Sequence, residues 1–382
     1  MSIKTVQKKQ IVVGVSGGVD SSVALILLKQ QGWQPIAVTL QLPIWQNKCN
    51  SLCENVCCTK EARVRSKKIC KKFNIPYFII DARKDFNKKV VAYFIAAWTA
   101  GRTPNPCIVC NRELKFKYLF DFAKKHKIAF VATGHYAKTK NGKLYLAKDS
   151  AKDQTYSLSF LKKEWLKNII FPLANLTKKE VYKIAKKNGL NFYEKINHHT
   201  NHVGVVVKQS QDFCFVSGKA LPEFLKTTIP GRVPRPRAGR SGAGLFKTLN
   251  NETIGKHNGM FLFTIGQRKG INIPHPAVGG ASGPWYVVRI NAAKNIVYVS
   301  HDQRDLLNKT MQIKNPNWLV NIHLPLRAKV KIRSTHKPAL ATISKKANKY
   351  IVVFDQKQRA VTPGQFAVFY KSKQVLGAAR IV

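Results

Sequence analysis

The chain has few acidic residues. Its 382 residues include 18 Asp and Glu against 66 Lys and Arg, so the formal net charge is +48 at pH 7. A folded protein with so much charge of one sign repels itself, and binding to a polyanion relieves that repulsion. A general lysine bias on solvated helix faces would give the same composition. The charge therefore favours nucleic-acid binding and permits RNA without choosing it.

Long hydrophobic runs are also missing. The longest apolar stretches, Val23–Leu28 and Val90–Trp98, fall well short of the roughly 18 residues that span a membrane, and they fit buried helices better. No apolar segment typical of a secretory signal precedes the strand predicted at Ile11–Val15. We therefore expect a cytoplasmic protein that does not enter a membrane, and we expect it to be a monomer. The chain is long enough for two or three domains.

The first half of the sequence alternates strand-like and helix-like patterns, which predicts an α/β domain over residues 1–209. Such alternation favours a parallel sheet covered by helices. The predicted strands are Ile11–Val15, Pro35–Leu40, Tyr77–Asp81 and Ile128–Ala132. The predicted helices include Lys60–Phe73, Asp85–Ala100, Glu113–Lys125 and Lys178–Asn188.

The pattern changes after about residue 200. Gly, Pro and Arg cluster in Pro230–Gly244 and Pro274–Pro284, and we place a small central domain over 210–284. From 285 to 382 short β segments separated by turn residues predict an antiparallel β-barrel domain. These segments are Trp285–Ile290, Asn295–Ser300, Ala328–Arg333, Ala339–Ser344, Tyr350–Phe354, Phe366–Tyr370 and Val375–Ile381.

The segment from Gly14 to Ser22 predicts a phosphate-binding loop. A buried strand runs into Gly17 and Gly18 and then into a helix start, where free N–H groups point at an anion. No lysine follows the glycines, so this is not a Walker A loop. Asp20 suits a Mg²⁺ ion that accompanies a nucleotide. A plain Gly-Gly turn with a serine cap is the alternative, but the full string resembles the signature of PP-loop ATP pyrophosphatases.

Eight cysteines occur in the chain, and two of them form a single C-x-x-C motif, Cys107 and Cys110. The motif lies between a helix predicted to end near Gly101 and one predicted to begin near Glu113. A nearby helix N-terminus favours the thiolate. No second C-x-x-C and no H-x₃₋₅-H pair accompanies it, which disfavours a complete zinc site. A redox pair and a catalytic thiol stay open.

The remaining cysteines carry weaker signals. Cys214 follows an acidic-aromatic segment far along the chain, and Cys70 lies in an apolar helix pattern typical of core. Cys49, Cys53 and Cys57 lie at intervals of four, with Cys58 adjacent, and these three thiols would share a metal-binding face if their segment were helical. A loop with incidental thiols is the simpler interpretation.

Ordered motifs along essentially the whole chain resemble one family, the bacterial tRNA-specific 2-thiouridylases. The motifs are Gly14–Ser22, Gly101–Phe116 (GRTPNPCIVCNRELKF), Ala132–Tyr136 (ATGHY), Lys152–Tyr156 (KDQTY), Ser210–Phe215 (SQDFCF), Thr264–Gly270 (TIGQRKG), Trp285–Val288 (WYVV) and Val361–Gln365 (VTPGQ). The resemblance implies a HUP-type PP-loop domain, a small central domain and a C-terminal β-barrel that helps to hold tRNA.

The resemblance also implies a reaction. ATP adenylates O2 of the wobble uridine, U34, and sulfur then displaces AMP, with pyrophosphate released in the first step. Cys214 takes persulfide sulfur from a donor protein, such as a cysteine desulfurase or a sulfur relay. Cys110 is the nucleophile that helps to release this sulfur, which leaves a Cys110–Cys214 disulfide.

Binding residues follow by matched position. Those implied for ATP are Gly14, Val15, Ser16, Gly17, Gly18, Val19, Asp20, Ser21, Leu40 and Gly134. Those implied for tRNA are Asn105, Pro106, Cys107, His135, Lys152, Asp153, Gln154, Arg333, Ser334 and Gln365. Structural alternatives exist for two of them, since Asp153 can cap a helix and His135 can be a satisfied loop histidine.

The sequence departs from the family pattern at Cys107, where some members carry Asp. Cys107, Cys110 and Cys214 could then converge and hold an iron–sulfur cluster, which offers a second route for sulfur. The segment Asn197–Lys208 looks longer than usual, and we predict a mobile loop there. Two other functions compete with thiolation. One is a PP-loop ligase that acts on a small metabolite, and the other is a catalytically silent tRNA-binding protein.

Overall fold

A computed structural model describes residues 9–48, 59–190, 213–229, 243–273 and 283–382. The chain divides into two compact units that each combine several segments. The first unit contains residues 1–90, 107–220 and 373–375, and the second contains 91–106, 221–372 and 376–382. The cysteine cluster at 49–58 and the predicted loop at Asn197–Lys208 lie outside the described residues. The predicted domain boundaries at 209 and 284 stay predictions.

The first unit is built on a parallel five-stranded sheet. Its strands run in the order β3-β2-β1-β4-β7, and a short hairpin of β5 and β6 lies beside Gln374 and Val375. The strands are β1 Gln10–Gly14, β2 Gln34–Gln41, β3 Tyr77–Asp81, β4 Phe130–Thr133, β5 Lys138–Lys140, β6 Lys143–Tyr145 and β7 Ile169–Ile170. The four predicted strands of this sheet are confirmed to within two residues.

Helices cover this sheet and share its apolar core. Val23 and Leu25 of one helix, Ile69 of a second and Val181 of a third pack in one cluster with Ile11 of β1. The helical segments of the first unit are Val19–Gln30, Lys60–Lys72, Arg83–Phe86, a π-helical Asn87–Val91, Pro106–Cys110, a π-helical Asn111–Phe116, Lys117–Lys125, Thr155–Leu158, a 3₁₀ Lys163–Asn168 and Lys178–Lys187.

Two helix predictions need correction. The region expected to be a single helix, Asp85–Ala100, consists of three segments. These are the end of a short α-helix, Arg83–Phe86, a π-helical turn, Asn87–Val91, and a second α-helix, Ala92–Thr99. The helix expected from Glu113 begins at Pro106, so the C-x-x-C motif is helical and does not lie in a loop. Proline at the first helical position has no N–H to lose and a suitable φ, which accounts for the earlier start.

The second unit contains a four-stranded sheet of its own. Its strands run in the order β10-β11-β8-β9, and β11 pairs with β8 in parallel. They are β8 Gly244–Lys247, β9 Thr253–His257, β10 Tyr286–Asn291 and β11 Ile296–Ser300. The strands that we predicted at Trp285–Ile290 and Asn295–Ser300 therefore belong to this sheet and not to the barrel.

A closed antiparallel barrel of six strands completes the second unit. The strand order is β12-β15-β14-β13-β16-β17, and β17 pairs with β12 to close it. The strands are β12 Leu307–Trp318, β13 Leu326–Lys331, β14 Ala339–Lys346, β15 Lys349–Arg359, β16 Phe366–Lys371 and β17 Gln374–Ile381. This confirms the predicted fold class, a parallel-sheet α/β domain combined with a C-terminal antiparallel barrel.

Strand β12 escaped sequence-based prediction because its inward face is short. Met311 and Ile313 are buried, while the first four residues of the strand are exposed and Pro316 interrupts the second half. The remaining helices of this unit are Ala92–Thr99, Leu221–Thr228, and the 3₁₀ turns Met260–Leu262 and Gln303–Leu306. Across the described ranges no helix is both long and apolar enough to cross a membrane.

Candidate active site

The predicted phosphate loop connects β1 to the helix Val19–Gln30. Gly17 has φ +71°, and a Cβ there would lie 2.2 Å from the carbonyl oxygen of Ala62, so only glycine fits. Gly18 is the N-cap of the helix. It makes no side-chain capping hydrogen bond, which leaves the first N–H groups of the helix available. The loop thus has the geometry of an anion-binding helix start.

Serine hydroxyls fix the shape of this loop. The backbone N–H of Ser16 donates to Oγ of Ser21 at 3.1 Å, and the hydroxyls of Ser21 and Ser22 donate to the carbonyl oxygen of Gly18 at 3.0 and 2.9 Å. These bonds span at most five residues, so the loop is largely organised by its own sequence.

The other residues implied for ATP lie at the same edge of the sheet. Strands β2 and β4 both flank β1 in parallel, so their carboxyl ends meet at the loop. Leu40 is near the end of β2, and Gly134 directly follows β4. A Cβ on Gly134 would lie 2.6 Å from the backbone nitrogen of Ser21, so this glycine permits a close approach to the loop. The residue types present fit a bound nucleotide phosphate.

Asp20 sits in a polar cluster that includes a residue sequence reasoning missed. Its Oδ1 accepts a hydrogen bond from the Tyr136 hydroxyl at 2.9 Å and an ion pair from Nζ of Lys178 at 2.6 Å. Burial lowers the pKa of Lys178, and Asp20 opposes that shift. Burial and the Asp20 carboxylate both raise the pKa of Tyr136. Lys178 is the first residue of the helix Lys178–Lys187. In the sequence, the one signal that marks it is its position directly after Thr177, the N-cap residue of a capping box.

The C-x-x-C motif is held inside a continuous helical run. The α-helix Pro106–Cys110 passes into the π-helix Asn111–Phe116 and then into the α-helix Lys117–Lys125. The side-chain amide of Asn111 donates to the carbonyl oxygen of Ser157 at 2.9 Å, and Arg112 donates to that of Phe160 at 3.1 Å. Cys110 is buried, whereas Cys107 is half-buried.

Cys214 lies on a tight turn that is anchored on both sides. Phe213 and Val216 form a β-bridge, and the carbonyl oxygen of Phe215 accepts from the backbone N–H of Trp45 at 3.0 Å. The Phe215 ring packs against Phe86 with a centroid distance of 5.7 Å. The aromatic residues on either side of Cys214 therefore tie its turn to the core and leave the thiol half-buried.

The structure brings Cys110 and Cys214 into hydrogen-bond contact. That bond to Cys214, followed by burial, raises the pKa of Cys110 well above its usual range, and Cys107 adds to the effect. Lys115 acts in the opposite direction. The expectation that a helix N-terminus would lower the thiol pKa is therefore wrong for Cys110, because contact with a second thiol and burial outweigh it.

Both thiols are free, so no disulfide joins them in this structure. Within the described ranges no three of His, Cys, Asp and Glu are placed to hold one metal ion. The residues as placed do not fit an iron–sulfur cluster. Cys70, predicted to be core, is buried, and burial raises its pKa to about 11.

Three of the residues implied for tRNA lie next to the loop but use their side chains internally. Nδ1 of His135 bonds with the Thr133 hydroxyl at 2.8 Å, and burial lowers its pKa to about 3. Asp153 accepts from the backbone N–H groups of Ala147 and Thr155, and Oε1 of Gln154 accepts from that of Tyr136 at 2.9 Å. The structural alternative for His135 therefore holds, whereas the N-cap of the helix Thr155–Leu158 is Gln154 and not Asp153 as expected. Lys152 is half-buried beside them.

The other implied tRNA residues except Cys107 belong to the second unit. Arg333 donates to the carbonyl oxygen of Ile265 at 2.8 Å and to the hydroxyl of Thr362, while Ser334 is exposed. Nε2 of Gln365 donates to the carbonyl oxygen of Thr103 at 2.9 Å. This bond fixes the strand-like segment that leads to Asn105 and Pro106. Gln365 therefore braces the segment before the C-x-x-C motif.

Family models match three stretches of the chain. These are a tRNA methyl transferase HUP domain over residues 9–218, a tRNA methyl transferase PRC-barrel domain over 237–301 and an aminomethyltransferase beta-barrel domain over 308–381. The sheet, the phosphate loop and these matches define a nucleotide-binding protein of the HUP class with two appended β domains.

Curated relatives identify the family within that class. The tRNA-specific 2-thiouridylase MnmA of Clostridium perfringens is 38% identical over 98% of both chains. The enzymes of the same name from Acetivibrio thermocellus and Clostridioides difficile are 37% and 36% identical, each over 98% of this chain and 99% and 98% of their own. The chain belongs to the tRNA-specific 2-thiouridylase family.

A solved structure of the U34-tRNA thiolase NcsA from Methanococcus maripaludis, with its [4Fe-4S] cluster, aligns at 18% identity and a TM-score of 0.32. The alignment covers 60% of this chain and 70% of that chain. A score this low relates neither the sites nor their cofactors.

Proposed function

We propose that this enzyme catalyses the ATP-dependent 2-thiolation of U34 in tRNA. The observation that carries the proposal is the contact between Cys110 and Cys214 in the compact unit that also holds the phosphate loop. Thiolation needs one site that activates the uridine oxygen and a second site that delivers sulfur. Both kinds of residue are present in one unit, and family membership supports the pairing.

The phosphate loop supports the activation step. Backbone N–H groups at the start of the helix Val19–Gln30 would hold the phosphates, and the glycines at 17 and 18 let them approach. Lys178 adds a positive charge beside Asp20, which can neutralise charge that develops on pyrophosphate. Asp20 would also hold Mg²⁺, which shields phosphate charge when it is bound. Adenylation makes O2 of the uridine a good leaving group.

The thiol pair supports the sulfur step. Cys214 is the more exposed of the two, which suits a residue that must meet a persulfide-donating protein. Its persulfide attacks C2 of the activated uridine and AMP leaves with the oxygen. The Cys110 thiolate then attacks the Cys214 sulfur, and the persulfide bond breaks with its electron pair on the outer sulfur, which the uridine keeps. A Cys110–Cys214 disulfide remains, and a dithiol reductant, itself oxidised to a disulfide, reduces it to the two free thiols.

Binding of tRNA rests on charge and on the matched positions. A net charge of +48 favours a polyanion, and the half-buried Lys152 and the exposed Ser334 would contact the RNA backbone. Asn105, Pro106 and Cys107, at the start of the helical run, would meet the target base. Asp153, Gln154, Arg333 and Gln365 would act mainly by holding the contacting segments, because their side chains bond to the protein.

One reaction tests the proposal. The protein is incubated with tRNA, ATP and a protein persulfide donor, and mass spectrometry follows AMP and 2-thiouridine together. We expect both products in equal amounts. AMP that forms with a small metabolite and without tRNA would point to the ligase alternative. Binding of tRNA without AMP would point to a silent binding protein.

A further inference from the structure

The helical run that carries the C-x-x-C motif changes its winding directly after Cys110. Residues 106–110 are α-helical, Asn111–Phe116 are π-helical and Lys117–Lys125 are α-helical again. In an α-helix with 3.6 residues per turn, a side chain five positions further on lies about 140° round the axis. The i→i+5 bonding of a π-helix widens the turn, so that this side chain lies closer to the side of the starting residue. Lys115 is five positions after Cys110 and therefore lies closer to its side of the helix.

The charge of Lys115 acts on two groups near this turn. Its charge favours the thiolate form of Cys110, and it also disfavours a proton on the His135 ring. The His135 ring stacks on Phe116, the residue after Lys115, with a centroid distance of 6.0 Å. Lys115 thus acts electrostatically on both groups, and its neighbour Phe116 contacts the His135 ring.

This position joins the two halves of the site. His135 follows Gly134, whose close approach to Ser21 marks the edge of the phosphate loop. Cys110 in turn contacts Cys214. The charge of Lys115 therefore acts on one residue beside the phosphate loop, His135, and on one residue of the thiol pair, Cys110.

Cys110 needs a cation if it is to act as a nucleophile. Contact with Cys214, burial and the nearby Cys107 all disfavour its thiolate, and the charge of Lys115 favours it. A buried thiolate without a compensating charge is costly. The π-helical turn provides that charge from within the same helix.

We propose that Lys115 is a positioning residue that stabilises the Cys110 thiolate for its attack on the sulfur of Cys214. Its part in thiolation rests on the proposed function, but the thiol chemistry itself does not. In the attack Cys110 loses its proton to solvent, a Cys110–Cys214 bond forms, and the bond from Cys214 to its leaving group breaks. The electron pair of that bond departs with the leaving group.

The test uses the full chain without tRNA or ATP. Diamide, an oxidant that adds to thiols, reacts with the half-buried Cys214, and Cys110 then displaces the hydrazine to form the disulfide. Peptide mass spectrometry measures the Cys110–Cys214 cross-link over time across a range of pH. A Cys110→Ser variant traps the adduct on Cys214 and gives the rate of the first step.

Lys115→Met should slow the second step about tenfold at neutral pH and shift its rise to higher pH, as expected for a change of about one pKa unit. Lys115→Arg should keep the wild-type rate and profile, because the charge remains. Lys124→Met removes the same charge from an exposed position on the following helix and should change nothing.

An unshifted pH profile in Lys115→Met would overturn the proposal. So would a Lys115→Arg variant as slow as Lys115→Met, since that result would assign Lys115 a packing role. Because the assay needs neither tRNA nor a nucleotide, failure of the proposed thiolation activity would show in the AMP and 2-thiouridine assay and not here.

Discussion

The phosphate loop and the thiol pair lie in the same compact unit, but they are assembled in different ways. The loop is shaped by bonds among Ser16, Gly18, Ser21 and Ser22, which are near neighbours in the sequence. The thiol contact joins Cys110 to Cys214 from a distant turn. A local loop can form wherever its sequence occurs, whereas the thiol pair exists only when the whole unit is folded.

The two regions also treat negative charge in opposite ways. The loop offers N–H groups and hydroxyls, which stabilise an anion that arrives. The thiol site is buried around Cys110 and disfavours its anion, so the resting Cys110 thiol stays protonated. The phosphate loop is thus preformed for an anion, whereas the Cys110 thiol must lose its proton before it can act as a nucleophile.

The largest expected effect comes from removing either thiol. Cys110→Ala and Cys214→Ala should each abolish 2-thiouridine formation, because each has a chemical role that no neighbour replaces. Binding of tRNA, measured by fluorescence anisotropy, should stay close to wild type. Mass spectrometry of digested tRNA reads out thiolation.

Cys70→Ala is the matched control for this pair. Cys70 is buried in the core of the same unit and belongs to neither site, so the variant should thiolate normally with a small loss of stability. Normal thiolation by either active-site variant would contradict the assigned roles and leave the loop as the whole of the catalytic machinery.

The next effect tests how strictly the loop depends on its own geometry. Gly17→Ala should destabilise the protein by about 3 kcal/mol or more and weaken ATP binding, because it combines positive φ with a clash. The added Cβ would lie 2.2 Å from the carbonyl oxygen of Ala62. Thermal unfolding and nucleotide binding by calorimetry measure the two losses.

Gly32→Ala isolates the backbone contribution. Gly32 has φ +85° but nothing within 4 Å of an added Cβ, so the variant carries the strain without the clash. It should cost about 1 kcal/mol and leave ATP binding unchanged. Equal losses in both variants would show that the contact with Ala62 is not a constraint on the loop.

The same contrast explains what the sequence could predict. The loop, the parallel strands and the barrel strands followed from patterns within short windows, and the structure confirms that fold class. Strand β12 was missed because its alternation is weak, and Lys178 was missed because its partner Asp20 is distant in sequence.

Features that depend on tertiary contacts could not be predicted in the same way. The direction of the pKa shift at Cys110 depends on a bond to Cys214 and on burial, and a helix-terminus argument gave the opposite sign. The π-helical winding after Cys110 has no known local sequence signal here, and it changes which lysine faces the thiol.

A smaller effect is expected from the ion pair beside the loop. Lys178→Met should lower the rate of AMP release about 10- to 100-fold, because its charge sits 2.6 Å from Asp20 at the start of the helix. The exposed neighbour Lys179 gives the control, and Lys179→Met should have no effect. Diamide cross-linking of Cys110 to Cys214 should be normal in Lys178→Met. A loss of cross-linking would show that the two regions are coupled more tightly than their separate construction implies.

The smallest effect concerns His135, which lies between the two regions. Burial first, and the charge of Lys115 second, hold its pKa at about 3 in the folded protein, below the roughly 6.5 of an unfolded chain. Below about pH 6.5 the His135 ring is therefore protonated in the unfolded state but stays neutral in the folded state. The free energy of unfolding falls as the pH drops from about 6.5 toward 3. Between pH 7 and pH 5 this should cost about 1 to 2 kcal/mol.

Other histidines contribute to the same pH dependence of stability. The quantity to measure is therefore the difference in that dependence between a variant and the wild type. His257 is also held neutral, with a pKa of about 4, and belongs to the second unit. His135→Asn should flatten the loss of stability between pH 7 and pH 5, measured by urea unfolding, and His257→Asn should flatten it separately. In wild type, NMR should find the His135 ring neutral at pH 5. A protonated His135 at that pH would mean that water reaches the space between loop and thiols, and that the sulfur site is less protected than its buried Cys110 implies.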